Sequence, residues 1–145
     1  MTSAPNAMTA AAAQALVDQG LERAAARLGD VTAPIMARFY ADFPDALGSF
    51  SEHWPDRPGQ LEQEMVGNAL YFIMTWHVRP AEVKYALWSS VPHHAETLHV
   101  PARWYAGMMA AAIDVIAATL PDHAAAEAAI WQAMRADFDA LIRSA

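Results

Sequence analysis

Apolar residues recur at helical spacing through nearly the whole chain, and proline and glycine supply the punctuation. No stretch alternates as a strand would. The pattern predicts a first helix over about Thr9 to Leu28, with Thr9 as its cap and Ala13, Leu16, Val17, Leu21, Ala24 and Leu28 on one face. Gly29-Asp30 stops it. A second helix starts at Thr32, carries Ile35, Met36, Phe39, Tyr40 and Phe43 inward, and ends at Pro44. The segment Phe50 to Gly59 reads as a loop. A long helix covers Gln60 to Val78, and a shorter one Ala81 to Trp88. Pro92 is expected to mark a break, leaving Val91 to Leu98 as at best a short separate helix. Pro101 opens another long helix, with Tyr105, Met109, Ala112, Ile113, Ile116 and Leu120 on one face. Pro121-Asp122 turns the chain into a last helix bearing Ala126, Ile130, Met134, Phe138 and Leu141. The expectation is one all-α domain over residues 1–145, of about seven helices, with residues 1–8 as a disordered tail.

Composition narrows the function. A chain of 145 residues that is 55% hydrophobic can bury a substantial core. The absence of cysteine excludes disulfides, thiolate metal sites and cysteine nucleophiles. A formal charge of −7 speaks against nucleic acid as a partner, because phosphate binding needs a basic face. Lys84 is the single lysine, and no cationic run reads as a membrane patch. No segment approaches the roughly 18 consecutive apolar residues of a membrane span. The N-terminal segment lacks the basic region of a secretory signal, so the cytoplasm is the default expectation.

Two local patterns carry chemistry. In the first, a helix ends at Pro44 and a lone phenylalanine, Phe50, follows six residues later. In the second, His94 lies just before a helix break, followed by Leu98, Val100 and the helix-opening Pro101. Either could be structural: a helix stop with a core phenylalanine, and a surface histidine among six. Neutral imidazole is, however, a strong ligand for haem iron.

In this order and at this spacing the patterns resemble the globin family, across Thr32 to Arg143. Pro44 and Phe50 match the helix-ending proline and the phenylalanine that stacks on haem. His94, Leu98 and Val100 match the proximal histidine and the turn that touches the porphyrin. The interval from Phe50 to His94 is similar to that of bacterial single-domain globins and the globin domain of flavohaemoglobins. The resemblance implies a globin fold around haem b, with iron held by His94 and a diatomic gas (oxygen, NO or CO) as partner.

It also implies which residues line the pocket. The residue above the iron falls on Met36, with Tyr40 one turn later. Two registers of the following helix stay open. One turns Leu61, Met65, Ala69 and Phe72 to the haem, the other Glu62, Val66, Ala69 and Ile73. The first is preferred, because an inward carboxylate would need a partner. Tyr105 joins the wall from the next long helix. The stretch Gln60 to Trp76 contains no histidine, so the distal side is expected to be largely apolar. His93, His99, Arg79, Arg103 and Lys84 are candidate propionate partners, and Pro92 puts the hydrogen bond that would orient the His94 imidazole in doubt.

Competing functions remain at this point: NO dioxygenation or peroxide chemistry with an external reductase, a sensory globin module with or without haem, and an unrelated helical bundle. A homodimer is a further possible assembly. No Gly-rich dinucleotide fingerprint is present, so an electron donor would have to be a separate protein.

Overall fold

A computed structural model describes residues 8–56 and 58–145. Among these the chain forms seven helices: α1 Ala10–Leu28, α2 Thr32–Asp42, α3 Pro44–His53, α4 Pro58–Thr75, α5 Pro80–Glu96, α6 Ala102–Ala117 and α7 Ala125–Arg143. No strand occurs among the described residues, so the fold is all-α. Among the described residues no helix is long and apolar enough to cross a membrane. The expected N-terminal tail, apart from Met8, lies outside the described residues.

Local chemistry explains most of the boundaries. Thr9 Oγ1 accepts a hydrogen bond from the Ala12 amide at 3.1 Å, which satisfies one orphan donor at the start of α1. Gly29 ends α1 with φ 68°, a left-handed conformation that costs a glycine nothing. Pro44 separates α2 from α3 by serving as the first residue of α3, where its missing N–H is no loss. The sequence pattern gives only a stop there and a loop from Phe50. Instead Phe50 rides on α3, one turn before its end.

The second departure is α5. Pro92 lies inside a single helix rather than between two. Proline at this position removes the donor for the Trp88 carbonyl. Trp88 and Ser89 are exposed, so water can take that carbonyl and the helix continues to Glu96.

The core is centred on α6, which packs against α1, α2, α4, α5 and α7. Its Ala111, Ala112, Ile113 and Ile116 are fully enclosed, as are Phe39 of α2, Ile73 of α4, Leu87 of α5 and Trp131 and Phe138 of α7. Truncating one of these aromatic side chains to alanine costs about 3–5 kcal/mol. Gly107 lets α6 approach α2 closely: a Cβ there would fall 2.2 Å from the Phe43 ring.

A polar clamp joins α1 to α7. Arg23 donates to both carboxylate oxygens of Glu127, at 3.0 and 2.6 Å, and to Thr119 Oγ1 at 3.0 Å. The Trp131 indole donates to Glu127 at 2.8 Å. Glu127 is only 3% exposed, and the Arg23 guanidinium holds its carboxyl below the usual range.

Candidate functional site

The chemistry of the chain converges on one cleft. Helix α4 supplies Leu61, Met65, Asn68, Ala69 and Phe72, which recur at one-turn spacing and so share a face. Helices α2 and α3 supply Phe39 and Phe50, and the end of α5 supplies His94. Leu98 and Val100 come from the turn that follows, and Trp104, Tyr105, Met108 and Met109 from α6. The cavity within it measures about 100 Å³, smaller than the roughly 300–1,000 Å³ of a preformed small-molecule site.

Phe50 anchors one end of it. The ring is 6% exposed, stacks on Phe39 at 6.3 Å and meets Trp54 and Trp104 edge-on at 5.8 Å each. Offset and edge-on contacts of this kind fix ring orientation as well as burying area. Trp104 is held in turn by its indole N–H, which donates to Asp45 at 3.3 Å, while the Arg103 guanidinium lies 5.3 Å from its ring centroid and pairs with the same carboxylate.

His94 also lines the cleft. Its Nδ1–H donates to the Ser90 carbonyl at 2.7 Å, one helical turn back. That bond fixes the tautomer, because an unprotonated Nδ1 would set two lone pairs against each other at that distance. Nε2 is then the nitrogen with a free lone pair. The Tyr105 ring lies edge-on to the imidazole, with centroids 5.2 Å apart and planes at 90°. The orienting bond that Pro92 put in doubt is present, because α5 stays helical across the proline and so keeps Ser90 one turn before His94.

The turn after α5 completes the wall. The Val100 amide donates to the His94 carbonyl at 2.8 Å, folding the chain back on the helix end. His99 takes a left-handed φ of 56°, which histidine tolerates better than a branched residue. Leu98 and Val100 consequently face the cleft while His99, between them, is exposed.

The structure brings together Phe50, Leu61, Met65, Ala69, His94, Leu98, Val100 and Tyr105 of the residues singled out in the sequence. It does not bring in two others. Met36 is 3% exposed and packs in the core beside the cleft; Phe39, three residues on, lines it instead. Tyr40 is half-buried outside the lining, and its hydroxyl feels the Glu62 carboxylate. Burial first, and the Glu62 carboxylate second, raise its pKa well above the usual phenol value. Helix α4 therefore turns its Leu61 face to the cleft and its Glu62 edge to Tyr40.

Met109, which helical spacing puts on the Tyr105 face, also lines the cleft, as do Trp54, Asn68, Trp104 and Met108, which the sequence reading does not single out. Trp104 and Met108 could have been found from helical spacing, since they lie one turn or less from Tyr105. Of the suggested polar partners, Arg79 pairs with Glu82 and Lys84 lies 5.9 Å over the Trp76 ring. His53 is outside the lining, with Nδ1 bonded to the Ser49 carbonyl at 2.8 Å, and His93 is exposed.

Among the described residues no group of three or more His, Asp or Glu side chains could hold a bare metal ion. The cleft presents one imidazole nitrogen among aromatic and thioether walls. No family model, no curated protein and no solved structure matches the chain.

Proposed function

We propose that the chain is a haem-binding protein of globin type that takes a diatomic gas, with His94 as the axial ligand. The observation that carries the reading is the state of His94. Its Nδ1 proton is spent on the Ser90 carbonyl, and the ring lies in an apolar cleft with a single free nitrogen. One neutral imidazole makes a complete protein contribution only for a metal that brings its remaining ligands with it, as iron in a porphyrin does.

The lining is of the kind a flat apolar macrocycle packs against, although a cavity of about 100 Å³ would have to widen to admit one. Phe50 offers a fixed aromatic ring, and Leu98, Val100, Leu61, Met65 and Phe72 offer further apolar wall. When bound, haem would supply an iron atom able to take oxygen, NO or CO. The chain's own part is to hold that group by His94, keep water from it with apolar walls, and set the donors that a bound gas can reach. Among side chains on the α4 wall only Asn68 is a hydrogen-bond donor.

The test is an absorption spectrum of the purified chain from haem-replete cells, ferric and then ferrous with CO. The expected result is a Soret band at about one haem per chain, moved by CO. Colourless protein that takes up no added hemin would refute the reading.

A further inference from the structure

Ser90 makes a second set of contacts in the site, through its hydroxyl. The carbonyl that binds His94 would be offered by any residue at position 90. The hydroxyl would not, and it lies 3.2 Å from His94 Nδ1 and 3.0 Å from the Tyr105 hydroxyl. The Nδ1 proton therefore has two oxygen neighbours on one residue, and the nearer is the carbonyl. Because Nδ1 carries the proton, Ser90 Oγ accepts from it. The serine hydroxyl can then donate its own proton to Tyr105, which polarises the chain in one direction.

Tyr105 has its own reason to reach Ser90. It projects from α6 into an apolar cleft, where an unpaired hydroxyl is costly. The same contact ties α6 to α5 beside the imidazole, and the edge-on phenol ring limits its rotation.

We propose that Ser90 and Tyr105 are positioning residues that act as a hydroxyl relay, fixing the plane of the His94 ring and raising the donor strength of its Nε2. The consequence for iron rests on the haem reading above; the consequence for the imidazole does not. A hydrogen bond at one ring nitrogen enriches the electron density at the other, and removing such outer partners typically costs about 10–100-fold in metal affinity.

The experiment compares the full chain with Tyr105→Phe, Ser90→Ala and Ser90→Thr. Without haem, the readout is the proton chemical shift of His94 Nδ1–H by nuclear magnetic resonance. The expected result is a strongly downfield signal in the wild type, an upfield move in Tyr105→Phe and Ser90→Ala, and recovery in Ser90→Thr. With hemin, the two weakening variants should lower the iron–histidine stretching frequency of the ferrous protein and bind hemin at least about tenfold more weakly. A merely structural contact would alter stability and leave the Nδ1–H signal in place. An unchanged signal in folded Tyr105→Phe, or a wild type whose His94 carries its proton on Nε2, would overturn the proposal. If the signal moves as expected but the wild type takes up no hemin, the relay stands and the haem reading falls. Should Ser90→Ala fail to fold, the near-isosteric Tyr105→Phe carries the same test.

Discussion

Replacing Arg23 by methionine should destabilise the protein strongly, with a pH signature that identifies the cause. In the native state Glu127 accepts two hydrogen bonds from the Arg23 guanidinium and one from the Trp131 indole. At 3% exposure it can recruit little water to replace them. Removing the arginine leaves a buried carboxylate with one neutral donor, and breaking a buried pair this way costs about 3–5 kcal/mol. For a domain of this size that corresponds to a fall of about 10–15 °C in Tm. The sign of the pH dependence follows from linkage. The folded pKa of Glu127 is depressed by Arg23, so its stabilising contribution is present above the unfolded carboxylate value, near 4.3, and is lost as pH falls through the folded value. In the variant the carboxyl is desolvated and unpaired, so its folded pKa lies above the unfolded one. The gap between wild type and variant should therefore narrow as the solution is acidified from pH 7 towards 4. Urea unfolding followed by circular dichroism across that range measures it. A loss below about 1 kcal/mol, the range of an exposed ion pair, or a gap independent of pH would refute the argument. Adding Glu127→Leu should recover part of the loss, since no buried charge then remains.

Two further predictions address the cleft. His94→Ala should abolish axial ligation of added hemin, whereas exposed His93→Ala and His99→Ala should leave the absorption spectrum nearly unchanged; loss in either of these instead would mean that another histidine holds the iron. Oxygen release, measured by stopped-flow, should be unaffected by Tyr40→Phe, whose hydroxyl is engaged by Glu62, and should speed about tenfold in Asn68→Leu, the value of one lost hydrogen bond of about 1.4 kcal/mol, with CO release little altered. Slow oxygen release that becomes fast in Tyr40→Phe would show that Tyr40 reaches the gas.

The parts of the site legible in the sequence are those fixed by spacing along one element. Leu61, Met65, Ala69 and Phe72 recur once per turn, so a single choice of register places all four, and the cost of an inward Glu62 favours the right one. Leu98 and Val100 flank one residue, and the left-handed φ of His99 lets both reach the cleft while His99 is exposed. Met36 and Tyr40 were harder to place. Their contacts depend on how far α2 is rotated against α3 and α6. That rotation is set by Gly107 admitting the Phe43 ring and by Phe39 stacking on Phe50, which are contacts between distant segments. Helix α3 is not legible in the sequence for a different reason. A proline that ends one helix by lacking an N–H is equally suited to begin the next, and local sequence does not separate the two uses.

Pro92 is the most instructive departure, because the residue read as a break in fact lies within the helix that organises the site. Proline forbids the bond to the Trp88 carbonyl but places no restriction on the carbonyl of Ser90, two residues further on. His94 is thus carried on a helical turn whose inner side is intact and whose missing bond faces the exposed stretch at Trp88 and Ser89. Had the helix stopped at Val91, Ser90 would no longer lie one turn behind His94, and neither its carbonyl nor its hydroxyl would meet Nδ1 at 2.7 and 3.2 Å. The orientation of the imidazole depends on the helix surviving its proline. That survival is decided by which carbonyl loses its donor and whether water can reach it, not by the presence of proline alone.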